Sequence, residues 1–386
     1  MPGVSFGDNG GMTSASHSSA AAEPFEGLRI RGVAKTFGAD TTVLNEIDLD
    51  VHPGELISLV GSSGTGKSTL LRIIAGLEEP SAGRVTYAGQ PLERGSVGVV
   101  FQRPILYPHL SVKDNILFPT RLGAFSGGAD MDYYRELLEA LKLEGLESRK
   151  PSQLSGGQAQ RVGIARALIR RAPVVLFDEP LASVDEEMSA SIRADIVRLH
   201  ERYGFTGLYV THDQNEALML GQRVAVMDAG YLVQVDTPER LLAHPHTLQV
   251  AKLMAAPALN LVALEDSAVL PAGCQLAIRA TALCPVAADA AHSLPVQVLG
   301  SRHLVGGMLY RARLLEAVSL PLESRRASAD SEPSDRVYAR VRAGQELEFF
   351  IPDAQSGSSL NVGDRVHLGV AAERCFVFSN GKRFYL

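Results

Sequence analysis

Residues 61–69, Gly61-Ser62-Ser63-Gly64-Thr65-Gly66-Lys67-Ser68-Thr69, constrain what this chain can fold into more than any other feature. Two glycines five apart followed by Lys and Ser/Thr form a phosphate-loop pattern, which is informative only between a strand and a helix. Both flanks are present: the apolar run Leu56–Val60 predicts the strand, and 67–75 predicts a helix stopped at Gly76. Glycines free the backbone to wrap a phosphate with its N–H groups, and the positive end of the helix dipole reinforces that cradle. In such a loop Lys67 neutralises the β and γ oxygens of a nucleoside triphosphate, and the Ser68 hydroxyl ligates Mg²⁺.

A second run, Val174-Val175-Leu176-Phe177-Asp178-Glu179, reads as a buried strand ending in two carboxylates, where an α/β sheet presents its ligand groups. Alone that ending is commonplace, but downstream of a phosphate loop it is the expected partner. Asp178 would hold Mg²⁺ through water, and Glu179 would orient or deprotonate the attacking water.

The chain has 386 residues, beyond the size at which one hydrophobic core usually stops growing, so more than one domain is expected. From 28 to 242, short apolar runs at 56–60, 97–101, 174–177, 208–210 and 224–227 alternate with longer amphipathic segments. That alternation predicts an α/β layer fold with a largely parallel central sheet. From 262 onward the segments become short and alternating (275–278, 337–341, 347–351, 365–370), separated by Gly-, Pro- and Asp-rich turns, which predicts a mainly β domain. Within it, 319–336 is rich in Ser, Pro and charge and reads as a long exposed loop. Residues 1–27 are rich in Gly, Ser and Ala and read as a disordered extension.

Charge and composition exclude several classes. The formal net charge is −6, against retention on nucleic acid by bulk charge. The longest apolar stretch, 253–264, is broken by Pro257 and Asn260 and is far short of the roughly 20 residues needed to span a bilayer. No basic start or arginine-rich leader precedes residue 28, so a cytoplasmic location is the default. Cys274, Cys284 and Cys375 are too irregular for a disulfide frame or a zinc site and read as reduced, partly buried thiols.

Leu154-Ser155-Gly156-Gly157-Gln158 opens a long helical stretch, 158–171, and so sits at a helix N-terminus. Together with Gln153 and the run QAQRVGIARAL (158–168), this segment resembles the signature motif of ATP-binding cassette (ABC) ATPases. The resemblance covers roughly 28–386, specifically in the cassette and more loosely after it. It implies ATP and Mg²⁺, and an ATP shared between two cassettes. Ser155, Gly156, Gly157 and Gln158 of one copy would cover the γ-phosphate held at 61–69 of the other, either a second copy of this chain or a related cassette.

Other family positions carry over one at a time. Phe37, in Lys35-Thr36-Phe37-Gly38, resembles the aromatic that stacks on adenine, where Tyr is commoner. Gln102, after the 97–101 strand, looks like the Gln that touches Mg²⁺ and signals to a membrane partner. Asp185, in Leu181-Ala182-Ser183-Val184-Asp185, looks like the dimer-contact Asp in an altered loop. His212, in Thr211-His212-Asp213, resembles the switch His that contacts the γ-phosphate. Residues 103–153 resemble the helical subdomain that receives a permease, with a helix at 131–143 and a Gly-Ser-rich Ser126-Gly127-Gly128, although its amphipathicity also fits ordinary core packing.

After the cassette (28–245), Ala256-Pro257-Ala258-Leu259-Asn260 resembles the step before the regulatory domain of carbohydrate-importer ATPases, with Leu259 where Met is usual. Leu276-Ala277-Ile278-Arg279 and Leu368-Gly369-Val370-Ala371-Ala372-Glu373 resemble the repeated step of its oligonucleotide-binding-like (OB-like, TOBE) halves, both lacking the Pro. The fold class expected is therefore a P-loop α/β cassette with a helical subdomain, followed over 246–386 by a linker and a mainly β, OB-like regulatory domain.

The function this resemblance implies is an ATPase subunit, peripheral on the cytoplasmic face of the inner membrane. It would energise a separate transmembrane permease, with an extracytoplasmic solute-binding protein supplying a sugar, polyol or glycerol phosphate. Iron, polyamine and inorganic anions remain open as cargo. An exporter subunit and a nucleic-acid-binding ATPase are the alternatives in other classes. Residues 261–386 hold 13 Lys+Arg and 13 Asp+Glu, so the OB-like domain has no basic bias and no nucleic-acid partner is expected.

Overall fold

The computed structural model describes residues 25–38, 40–121, 130–264, 270–271, 273–322, 337–353, 359–370 and 374–384. In chain order the cassette runs β1 (Leu28–Phe37), β2 (Thr41–Val51), β3 (Leu56–Val60), α1 (Lys67–Ile74), β4 (Ala82–Tyr87), β5 (Gln90–Pro91), β6 (Gly98–Val100), α2 (Val112–Leu117), α3 (Met131–Ala140) and α4 (Gly156–Leu168). It continues with β7 (Val174–Asp178), α5 (Glu186–Tyr203), β8 (Thr206–Thr211), α6 (Gln214–Leu220), β9 (Arg223–Asp228), β10 (Tyr231–Asp236), α7 (Pro238–Ala243) and α8 (Leu248–Leu253).

The central sheet has the order β10-β9-β3-β8-β7-β6, with every pair parallel except β9 with β10. Its inner strands read as nearly continuous apolar runs, interrupted in β3 by Ser58, because both faces are covered. Every residue of β3 and β8 is buried. On one face α4 and α5 pack over Val175, Phe177 and Tyr209; on the other α1 and β1–β2 pack over Ile57, Leu59 and Val210. Where α4 meets α5, Arg161 donates through Nε to Asp195 Oδ2 at 3.1 Å and through Nη2 to Ser191 Oγ at 2.8 Å.

The antiparallel sheet β2-β1-β4-β5 was not among the expected strands. Other expectations move at their edges. The 97–101 strand shortens to β6, where a methyl group on Gly98 would meet the Ala167 carbonyl at 2.4 Å, so α4 lies close on that strand. The 131–143 helix stops at Ala140, with Lys142 left-handed at φ 55°, and the 158–171 helix spans Gly156–Leu168, with Arg171 at φ 49°. Of the 1–27 extension, Phe25 packs its ring 5.4 Å from that of His52, and 1–24 lie outside the described residues. So does the Ser126-Gly127-Gly128 run.

The C-terminal part is mainly β: β11 (Leu259–Ala263), β12 (Gln275–Arg279), β13 (Cys284–Val286), β14 (Leu294–Leu304), β15 (Gly307–Leu314), β16 (Val318–Leu322), β17 (Val337–Val341), β18 (Glu346–Pro352), β19 (Arg365–Gly369), β20 (Cys375–Ser379) and β21 (Lys382–Phe384). They form sheets β11-β12-β20-β21, β13-β19-β14-β15-β18 and β16-β17, around a core that includes Leu276, Ile278, Val296, Leu320 and Phe349. The expected loop at 319–336 thus begins as strand β16, paired with β17 despite Pro321, and 323–336 lie outside the described residues, as do 371–373 of the second repeated step. Cys284 is exposed, where partial burial was expected, while Cys274 and Cys375 are buried.

The join between the two parts is tightly packed. On α8, Val250 lies in a cluster with Val60, Val224 and Leu241 of the cassette, whereas Ala251 is buried against Ala277 and Phe376. A boundary at 245/246 therefore falls inside continuous packing. Among the described residues no helix is long and apolar enough to cross a membrane.

Candidate active site

The site is assembled at the carboxyl ends of β3, β7 and β8, where a parallel sheet delivers its loops. After β3 the chain turns at Gly61, where a methyl group would sit 2.3 Å from the Met227 carbonyl oxygen. Gly66 caps α1 at φ 99°, a left-handed conformation that favours glycine, and a methyl group there would lie 2.8 Å from the Val43 carbonyl oxygen. Thr65 Oγ1 donates to the Ser62 carbonyl at 2.9 Å and cinches the loop. Ser63, Gly64 and Ser68 to Thr69 complete it, with Gly64 also left-handed at φ 81°.

Lys67 is buried, and its Nζ donates to the carbonyls of Gly61 (2.8 Å) and Ser62 (3.0 Å). Burial pulls the ammonium below its ordinary range, and Glu179 and Asp178 partly restore it. Across the loop, Ser68 Oγ donates to Asp178 Oδ1 at 3.2 Å. Burial raises the Asp178 carboxyl above its usual range, the Ser68 bond opposes that rise, and the neighbouring Glu179 carboxylate adds to it. A desolvated carboxylate beside a hydroxyl is a hard-oxygen pair of the kind Mg²⁺ takes alongside phosphate oxygens.

Glu179 is left-handed at φ 44°, an uncommon conformation for a residue with a side chain. Its N–H extends the strand pairing to Val210 O at 2.9 Å, and its Oε2 lies 3.2 Å from His212 Nδ1. The Glu179 side chain is 22% exposed and that of His212 57%, so the pair faces an open surface from the carboxylate outward.

Behind His212 lies a polar cluster that sequence reasoning missed. Buried Glu216 accepts at Oε2 from Thr211 Oγ1 (2.8 Å) and Tyr209 OH (3.1 Å), while its Oε1 lies 3.5 Å from Arg193 Nη1. Asp213 caps α6 by accepting from the N–H groups of Asn215 and Glu216, and Thr211 Oγ1 accepts from the Asp213 N–H at 3.0 Å. Both neighbours of His212 are therefore tied down. The signal was an Asp-x-x-Glu spacing at the start of a helix.

The remaining expected residues stand apart from this cluster. Phe37 is exposed at the end of β1, with Lys35 Nζ 4.9 Å from its ring centre. Gln102 is exposed just after β6. Ser155 caps α4: its Oγ accepts from the Gln158 N–H at 3.2 Å, and Gln158 Oε1 accepts from the Ser155 N–H at 3.0 Å. Gly157 faces Met188 so closely that a methyl group would lie 2.5 Å from its Cγ, whereas Gly156 has open space beside it. Asp185 caps α5 by accepting from the Met188 N–H at 3.0 Å. Among the described residues, no hydrogen bond or ion pair joins 155–158 to the phosphate loop of the same chain.

Known proteins resemble this chain. Residues 44–182 match the family described as ABC transporter. Proteins named sn-glycerol-3-phosphate import ATP-binding protein are similar: that of Rhizobium johnstonii is 45% identical over 61% of this chain and 65% of its own length. Those of Yersinia enterocolitica and Salmonella typhi are 44% and 42% identical, over 67% and 74% of their lengths and 61% and 66% of this chain. This chain thus spans about two thirds of the relatives it matches. Among solved structures, cbiO1 from Clostridium perfringens, part of the ABC transporter complex cbiONQ, superposes with a TM-score of 0.51 at 27% identity, over 57% of this chain and 92% of that one. With a phosphate loop facing paired carboxylates on a parallel sheet, and relatives matched over most of their length, the chain belongs to the ATP-binding ATPase subunits of the ABC transporter family.

Proposed function

We propose that this chain hydrolyses ATP to energise import of sn-glycerol 3-phosphate or a similar polyol phosphate through a separate transmembrane permease. The cargo reading is supported by the names of relatives at 42–45% identity. The observation that carries the hydrolytic reading is the convergence of Lys67, the Ser68–Asp178 pair and the Glu179–His212 pair on one end of the sheet.

Each residue then has a task. Lys67 leaves the loop carbonyls to neutralise β and γ oxygens as the triphosphate settles on the 61–69 amides. Ser68 and Asp178, with Gln102, would hold Mg²⁺, which supplies charge neutralisation across the β and γ phosphates. Glu179, whose carboxylate is partly exposed beside His212, takes the proton of the attacking water. His212 donates through Nδ1 to that carboxylate, orienting it, and a ring protonated at both nitrogens would also donate through Nε2 to the γ-phosphate. Phe37 would stack on the adenine.

The signature residues Ser155 to Gln158 cap their own helix, so their function is assigned to a second copy of the chain, whose ATP they would cover, with Asp185 at the contact. A solute-binding protein would deliver cargo outside the membrane, and the C-terminal β domain would regulate or dimerise. Reconstitution in vesicles with its transmembrane permease subunits tests the proposal. ATP-driven uptake of sn-glycerol 3-phosphate, uncompeted by maltose, is expected. Uptake of maltose alone would reject the cargo, and full uptake with Lys67→Ala protein would reject the phosphate-loop assignment.

A further inference from the structure

A cavity of about 700 Å³ opens between α6 and α7 of the cassette and the β12–β20 pair of the C-terminal domain, and Gln214, Glu239, His244, Arg279, Arg374 and Phe376 are among its lining residues. That size falls in the range of small-molecule sites. Its chemistry is set by Arg279. Nη1 of that side chain donates to the Leu242 carbonyl at 2.7 Å, and the guanidinium lies 5.0 Å from the Phe376 ring centre, which together fix its plane. Nε and Nη2, the two donors along one edge of the fork, are buried without a hydrogen-bond partner. A buried guanidinium with an unpaired edge is a costly arrangement unless something accepts from it.

Arg383 lies over the same Phe376 ring at 4.6 Å. Burial, and secondarily this second cation, push Arg279 down to about 10, still charged at neutral pH. Among the described residues, no ion pair neutralises Arg279. The lining carboxylate, Glu239, is exposed, as is the additional cation Arg374. On the cassette side, Gln214 Oε1 is a buried acceptor with no donor.

From these groups we infer that the cleft binds a small hydroxylated phosphate monoester, toward which the Arg279 and Gln214 side chains turn so that the phosphate takes the unpaired Nε–Nη2 edge and a hydroxyl takes Gln214 Oε1. The fork matches an oxyanion in bidentate fashion, and Arg374 favours a dianion over a monocarboxylate. The volume exceeds what inorganic phosphate fills, and the orphan acceptor calls for a ligand that also donates. Gln214 opens α6 two residues after His212, so occupancy would join the C-terminal domain to the helix that follows the switch position. This site lies outside the nucleotide machinery and does not depend on the cargo reading.

Isothermal titration of the full chain, with ADP saturating so that the phosphate loop is filled, tests it using sn-glycerol 3-phosphate, inorganic phosphate and glycerol. The monoester is expected to bind, inorganic phosphate more weakly, and glycerol not at all. Arg279→Gln should weaken monoester binding by roughly tenfold or more, because the charged fork is lost. Should that variant lose its circular-dichroism spectrum, Gln214→Met reads the same site, with the monoester falling to the affinity of inorganic phosphate. No binding heat up to about 10 mM monoester, equal affinity for glycerol, or wild-type affinity in a folded Arg279→Gln would each overturn the inference. The cargo reading fails separately, since uptake requires the permease and this titration does not.

Discussion

Glu179→Gln separates chemistry from binding at this site. Gln is isosteric with Glu, keeps the N–H bond to Val210 O, and sits no worse at φ 44°, so the fold should be unchanged within about 0.5 kcal/mol. ATP affinity should also persist, because the phosphate contacts come from the 61–69 amides and Lys67. What is lost is a proton acceptor 3.2 Å from His212 Nδ1. A positioned general base contributes roughly 10²- to 10⁴-fold, or about 3 to 5 kcal/mol in the barrier. Phosphate release under saturating ATP should therefore fall by at least about 100-fold, while equilibrium binding of a fluorescent ATP analogue stays within about threefold of wild type. Lys67→Ala should show the converse, with affinity falling first. If Glu179→Gln turned over within threefold of the wild-type rate, Glu179 would not be the base, and the Glu179–His212 contact would have to be a structural pair.

Other perturbations follow from particular contacts. Gly61→Ala places a methyl carbon 2.3 Å from the Met227 backbone oxygen, which must displace the loop; ATP affinity measured by titration should drop by about 1 kcal/mol or more. Asp195→Ala leaves Arg161 buried without its carboxylate, and chemical denaturation should register a loss of about 3 to 5 kcal/mol. His200 is held below its ordinary 6.5 by burial, against which the Gly54 and Phe205 backbone contacts work. The unfolded chain then takes up that proton more readily, so stability is full above about pH 6.5 and declines as pH falls toward the lower folded value; His200→Gln should flatten this slope in urea melts.

Much of the architecture was legible for one physical reason. Strands covered on both faces carry nearly continuous apolar runs, so β3, β7, β8 and β9 stand out from the sequence. The sheet built on β1 and β2 did not, because register shifts break its alternation: β1 slips against β2 between Ile30 and Val33, again before Lys35 and again before Thr36. Each slip exchanges the faces of the residues beyond it, which erases the period-two signal. β16 was hidden differently, by Pro321 within a Ser- and charge-rich stretch, yet it pairs with β17 from Val318 to Leu322.

The site divides along another line, the distance in sequence between partners. Ser155 with Gln158, and Asp185 with Met188, meet three residues apart on one helix end, so local spacing alone announces them as caps. Among the described residues neither pair is hydrogen-bonded to the phosphate loop of the same chain, so the caps by themselves account for the local geometry of 155–158 and 185–188. Ser68 and Asp178 are 110 residues apart, and Glu179 and His212 are 33 apart; no local rule joins them. They meet because three parallel strands, β3, β7 and β8, end side by side, and sheet order is a property of the whole cassette. The Glu216 cluster shows the limit: its cap spacing was visible, but that its carboxylate turns inward to Tyr209 and Thr211, bracing the backbone on which His212 is carried, follows only once β8 and α6 are packed.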